Sequence, residues 1–221
     1  MTVGGIIWVR KLLKASNKII GMATRDEKQT KLTQIAQRIA SCEVCTELCK
    51  TCTNPVPGEG DPEAKLMFVG EAPGAQEDRE GRPFVGASGK FLVEMLETIN
   101  LTRDDVFITN IVKYRPPGNR DPKPDEIQAC LPYLLEQIDV INPLLVIFLG
   151  RHAMNVFFPE LKISTSHGVP VRRTYAHSGK QRTQVFLPLY HPAAALYNGS
   201  MRKALLDDFS QIPQLLEKNN S

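Results

Sequence analysis

The chain has 221 residues, a formal charge of +3, 42% apolar and 23% charged residues. This is an ordinary globular composition, long enough to bury one sizeable core. No apolar run approaches the ~20 residues of a membrane-spanning helix, nothing repeats at a fixed period, and a polyanionic partner would need a local basic patch, since bulk charge does not supply one.

Residues 1–21 carry Arg10, Lys11, Lys14 and Lys18 and no acid, which leaves −1 of the total +3 for the rest. The segment lacks a clean apolar core followed by a small-residue cleavage site. It reads as an extension more than as a targeting peptide, with Met22 a second candidate start. We expect residues 1–27 to be a poorly ordered extension and 28–221 to form one domain. Residues 28–41 put Leu32, Ile35, Ala36 and Ile39 on one side at helical spacing. Residues 53–63 (TNPVPGEGDPE) are turn-rich and read as a loop. Four apolar runs follow, at Lys65–Val69, Val106–Ile111, Leu144–Leu149 and Gln184–Leu189. Helical stretches lie between them at about 88–99, 125–141 and 151–158, and a last helix is expected from about Met201 to Leu216. Strands alternating with helices predict an α/β domain whose parallel sheet is covered on both faces. Ligands of such sheets bind beyond the carboxyl ends of the strands. The segments to inspect are therefore GEAPGAQED (70–78), TNIVKYRPPGN (109–119), GRHA (150–153) and YHPAAAL (190–196).

In the first of these, Gly70, Pro73 and Gly74 make a tight turn that aims Glu71 into the crevice, with Glu77 and Asp78 close behind. Paired carboxylates at one pocket suit glycosidic chemistry, where positive charge develops in the transition state. The plainer reading is a solvated acidic loop. Phe84, in the loop GRPFVGASGK (81–90), is either a stacking platform for a base or a hydrophobic plug. Gly86-Ala87-Ser88-Gly89 opens a helix whose free N–H groups, with Ser88, suit a phosphate. Asn110 ends the second run; its amide, donor on one side and acceptor on the other, matches the edge of uracil and mismatches cytosine. The plainer role is a turn cap. His191 is the one histidine of four at a predicted strand terminus, where a neutral imidazole can donate to a departing oxyanion. His152, His167 and His177 read more simply as helix-surface or loop residues.

The cysteines are Cys42, Cys45, Cys49, Cys52 and Cys130. An odd count without a secretory signal is poor evidence for disulfides; four within eleven residues favour metal or iron–sulfur ligation in a reducing cytoplasm. On a continuous helix the four would line a stripe roughly 15 Å long, which cannot surround one centre. Either the helix ends near Cys45 or not all four share a centre, and Cys130 is the remote partner available. Zinc and an iron–sulfur cluster both remain open on spacing alone.

Taken together and in order, GEAPGAQED, GRPFVGASG, TNIVKYRPPGNR and HPAAAL resemble the motifs of the family 4 (iron–sulfur) uracil-DNA glycosylases, over about residues 32–216. The resemblance implies a single three-layer α/β/α domain around a central four-stranded parallel sheet. It implies excision of uracil from DNA by hydrolysis of the N-glycosidic bond, without a lyase step. Glu71 would handle water and stabilise the sugar cation, with Gly70, Ala72 and Ser88 lining the substrate. Glu77 would sit near uracil C5 and exclude thymine's methyl. Phe84 would stack on the flipped base, Asn110 would read its edge, and His191 would stabilise the leaving anion. Residues after it, through Leu196 toward Arg202, would press into the vacated DNA. Arg151, Arg172, Arg173, Arg202 and Lys203 are candidate phosphate grips. For a 4Fe-4S cluster, Cys42, Cys45 and Cys130 match the family's ligands, whereas Tyr114 stands at the third position; either Cys49 or Cys52 supplies the missing thiolate, or three cysteines hold the cluster with a different fourth ligand, or there is no cluster. The expected partner is uracil-containing DNA, with no membrane, and the expected state is a cytoplasmic monomer. Two rivals are a non-catalytic DNA-lesion binder on the same fold, against which Glu71 and His191 argue, and a zinc-stapled nucleotide hydrolase.

Overall fold

The computed structural model describes residues 23–41 and 46–219. The first helix, α1 (Arg25–Ala40), starts three residues earlier than its apolar spacing indicates. The reason is a capping box: Glu27 N–H donates to Thr24 Oγ1 (3.3 Å) and Thr24 N–H to the Glu27 carboxylate (2.7 Å). α1 buries Leu32, Ile35 and Ile39 and ends with Ser41 as its cap. A separate short helix, α2, spans Thr46–Thr51. Cys42 and Cys45 lie outside the described residues.

The sheet has six strands: β1 (Glu59–Gly60), β2 (Leu66–Gly70), β3 (Phe107–Asn110), β4 (Leu145–Leu149), β5 (Val171–His177) and β6 (Lys180–Leu189). Their order is β1-β3-β2-β4-β6-β5. The inner four, β3-β2-β4-β6, are parallel and are the four predicted runs. Alternate residues feed opposite faces, as a period of two requires. Met67, Val69, Val146 and Phe148 join one apolar cluster, and Leu66, Phe68, Leu145 and Ile147 join the other. α1 and α5 (Pro124–Ile141) cover the first face; α4 (Ala87–Thr98), α9 (Gly199–Phe209) and α10 (Ile212–Asn219) cover the second. The shorter helices α3 (Ala75–Glu80), α6 (Arg151–Phe157), α7 (Ile163–Ser166) and α8 (Pro192–Leu196) sit in the connections. This is the expected three-layer arrangement.

Two features correct the expectations. The sheet carries an antiparallel strand at each edge, β1 on β3 and β5 on β6. The sequence reading does not include β5, because none of its seven residues is fully buried and Arg172, Arg173, Thr174 and His177 leave it no apolar pattern. The signal present was the Ser178-Gly179 turn, both residues at positive φ (50° and 74°), a geometry that closes a two-residue hairpin. The last helix is also two helices, α9 and α10, broken at Ser210–Gln211. Pro213 explains the break: it has no N–H to donate and its ring would strike the preceding turn.

Candidate functional site

β2 runs on to β3 on one side, whereas its neighbour β4 runs on to β5 and β6 on the other, so the crevice opens at the carboxyl ends between β2 and β4. A cavity of about 400 Å³ lies there. Glu71, Ala72, Glu77, Phe84, Ser88, Asn110 and His191 all line it, joined by Asn119, Arg120 and Asp121 from the loop after β3.

Gly70 stands at the end of β2, paired with Asn110 across the ladder. A Cβ there would run into the Asn110 amide oxygen and come within 2.7 Å of the Phe84 ring. Only a residue without a side chain lets the amide and the ring converge on one point. Asn110 is itself buried, at 2% exposure. Its peptide is held from behind by Lys113, a fully buried side chain whose Nζ donates to Asn110 O (2.7 Å), Thr109 Oγ1 (2.7 Å) and Gln137 Oε1 (2.9 Å). Burial pulls Lys113 down to about 7.

Phe84 is buried against the second apolar cluster yet keeps a face on the cavity. The ring is therefore a wall of the core and a wall of the cavity at once. Its backbone is left-handed (φ 51°), an uncommon conformation for an aromatic residue. Its ring centre is 5.9 Å from that of His191. The loop is pinned by Glu77, whose Oε1 accepts from Val85 N–H (3.0 Å) and Gly86 N–H (2.9 Å). Asp78 turns away from the cavity and accepts from the Thr53 N–H (2.7 Å). Ser88 is on the first turn of α4.

His191 caps the short helix α8, its Nδ1 accepting from Ala193 N–H at 3.1 Å. With Nδ1 an acceptor, the proton of the neutral ring sits on Nε2. Burial drives the imidazole down to about 4, against the opposing pull of Glu77, so the ring is neutral at physiological pH. Gly150 (φ 98°) makes room: a Cβ there would lie 3.1 Å from the Cβ of His191.

Burial raises the Glu71 carboxyl above its usual range; the nearby Asp121 reinforces this, while His152 and Arg151 oppose it. His152 Nδ1 lies 3.8 Å from Glu71 Oε1, and His152 Nε2 accepts from Arg151 Nε–H (3.1 Å). His152 is thus part of the site, which corrects its reading as a plain helix-surface residue. Asp121, which the sequence reading does not single out, follows directly on the Gly118-Asn119-Arg120 turn. Glu71, Asp121 and His152 are the one group of three such side chains among the described residues with ligand atoms within 4.8 Å of one another.

The candidate phosphate grips separate. Arg151 lines an adjoining hollow that shares Glu71 and His191 with the cavity. Arg202 packs 4.2 Å over the Phe91 ring and pairs with Glu94 (2.5 Å), and Lys203 pairs with Asp207. Arg173 faces Gln184 in the register, five residues short of the end of β6, roughly 16 Å from the carboxyl ends at 3.3 Å per residue. Arg172 and Arg173 are therefore not at the cavity mouth. Leu196, the last residue of α8, and Tyr197, its cap, are exposed at 36% and 94%.

Among the cysteines, Cys130 is buried and Cys49 and Cys52 are half-buried against the same apolar cluster. Soft thiol donors in an apolar setting fit an iron–sulfur centre. These three do not bring all their sulfurs within 4.8 Å of one another, as one zinc ion would require. Tyr114 is buried and its hydroxyl donates to Ile39 O, so its oxygen is already engaged.

No helix among the described residues is long and apolar enough to cross a membrane. A family model described as the uracil DNA glycosylase superfamily matches residues 57–212. Among curated proteins, a type-4 uracil-DNA glycosylase of Sulfurisphaera tokodaii is 51% identical over 186 residues, 83% of this chain and 84% of that protein. Those of Saccharolobus solfataricus and Archaeoglobus fulgidus are 47% identical (82% of this chain, 85% of that protein) and 44% identical (85% and 94%).

Proposed function

This chain belongs to the uracil DNA glycosylase superfamily, and we propose that its cavity takes an extruded uracil between Phe84, Asn110 and His191. It is a DNA repair enzyme, a hydrolase that removes uracil from DNA by cleaving the N-glycosidic bond. The observation that carries the site assignment is the convergence of the Phe84 ring and the Asn110 amide on the side-chain-free face of Gly70. A base stacked in a duplex cannot reach such a cavity, so it is flipped, at a cost of a few kcal/mol. Stacking on Phe84 and hydrogen bonds to the Asn110 amide offset that cost.

As the bond breaks, electrons collect on the base and positive charge on the sugar. The Nε2–H of His191, held neutral and already oriented by its Nδ1 bond to Ala193, donates to the forming uracil anion. The Glu71 carboxylate stabilises the sugar cation and orients the water that attacks it. Glu77 meets C5 of the base and crowds a methyl group there. Leu196 and Tyr197 enter the space that the base vacates. A 4Fe-4S cluster held by Cys42, Cys45, Cys130 and either Cys49 or Cys52 would tie distant segments together and take no part in bond cleavage. The domain takes in the whole of α1, from Arg25 rather than residue 28, and acts as a cytoplasmic monomer. Incubation with an oligonucleotide containing one uracil should release free uracil and leave an alkali-labile site. Tight binding without release would instead favour the lesion-binder reading.

A further inference from the structure

Arg103 lies outside the cavity, in a charged hollow with Arg25, Glu59, Asp61 and Arg82. It opens the 3-10 turn Arg103–Asp105 ahead of β3, a turn closed by Thr102 and Asp105. Its guanidinium donates from Nη1 to Phe84 O (2.7 Å) and from Nη2 to Pro83 O (2.6 Å) and Glu59 Oε1 (2.6 Å). Glu59 is held in turn by Arg82, through Nε (2.7 Å) and Nη2 (3.0 Å), and the two arginines keep its carboxyl below the usual range despite burial. On the other side, Gly89 packs so closely that a Cβ there would collide with the Phe84 carbonyl. The left-handed backbone of Phe84 is thus gripped from both sides at its carbonyl. A strained conformation persists only where its surroundings over-determine it. Here the strain turns the ring toward Gly70, Asn110 and His191, while the residues that enforce it come from a distant turn.

We propose that Arg103, anchored by Glu59, is a positioning residue for uracil recognition, locking the Pro83–Phe84 main chain so that the Phe84 ring stays presented to the cavity. The proposal rests on the reading of Phe84 as the stacking platform. A planar fork that spans two carbonyls and a carboxylate is a task a lysine cannot duplicate. Without it, the ring visits orientations that do not receive the base, which weakens binding more than chemistry.

The test is a double-substitution cycle on the full chain. Arg103→Gln should raise the half-saturating concentration of uracil-DNA by about tenfold and weaken inhibition by free uracil in the same proportion, with kcat within about threefold. Arg103→Lys should fall between. In a Phe84→Ala background, Arg103→Gln should change these quantities by less than about twofold, because the ring it positions is gone. Unaltered saturation and uracil inhibition in Arg103→Gln would overturn the proposal, as would effects that multiply fully in the Phe84→Ala background. If Arg103→Gln does not fold, Glu59→Gln, which keeps the guanidinium but removes its anchor, is carried through the same cycle with the same deciding outcomes. Wild-type protein is assayed alongside: failure to release uracil would refute the proposed function itself, whereas normal release without coupling refutes only the role of Arg103.

Discussion

His191 performs two separable tasks, and substitution can part them. Its Nδ1 accepts the Ala193 N–H at 3.1 Å, and its Nε2–H faces the cavity. His191→Ala removes both. His191→Asn keeps a side-chain oxygen at the cap of α8 but is too short to present a donor where the imidazole edge lies. Removing one preorganised donor to a developing anion costs about 10²–10³-fold in rate, or roughly 3–4 kcal/mol. Losing the cap acceptor costs about 1 kcal/mol, which is about 2–4 °C in Tm for a chain of this length. Both variants should therefore lose about 100-fold or more in single-turnover uracil release, while only His191→Ala should show the Tm decrease. Burial also sets a pH signature. Because the folded ring titrates at about 4 against 6.5 for a free histidine, the unfolded chain takes up the proton first between those values. The contribution of His191 to stability is then complete above about pH 6.5 and falls as pH drops toward 4, and its donor role persists down to the lower value. Release by His191→Asn within about tenfold of wild type would refute the assigned role.

Glu71→Gln should lose at least about tenfold in uracil release, with Tm unchanged or higher, because a buried carboxylate is removed. Its raised carboxyl has the opposite sign to His191: the folded chain holds the proton longer, so stability falls as pH rises through the interval above the ordinary carboxylate value. Wild-type rates in Glu71→Gln would remove its catalytic role. Tyr197→Ala should slow release from duplex more than from single strands, since only the duplex carries the flipping cost; equal slowing would count against insertion of this exposed ring. Cys130→Ser should lose iron, sulfide and the associated visible absorption under anaerobic purification. Retention of full iron content would remove Cys130 from the ligand set, and zinc in the wild-type protein would replace the cluster reading.

Much of this protein is local in origin. The continuous apolar character of LMFVG and LVIFL by itself specifies strands buried on both faces, and the alternation with amphipathic helices specifies a parallel sheet. From that follows where to look, because each strand ends at the crevice; Glu71, Asn110 and His191 could be named from their places after three strands. Order along the chain also carries the turn chemistry of Gly70 and the Thr24–Glu27 cap. What depends on groups brought together across the chain was not legible. That the Phe84 ring packs on the core and still lines the cavity goes with its left-handed backbone, whose carbonyl accepts from Arg103, 19 residues away. The neutral state and tautomer of His191 follow from burial and from Ala193, and the entry of Asp121 and His152 into the site follows from how their segments fold over Glu71. Spacing encodes which face a residue turns to its own element; only packing decides which distant partner meets it there, and desolvation and hydrogen-bond direction, on which the chemistry depends, are properties of that meeting.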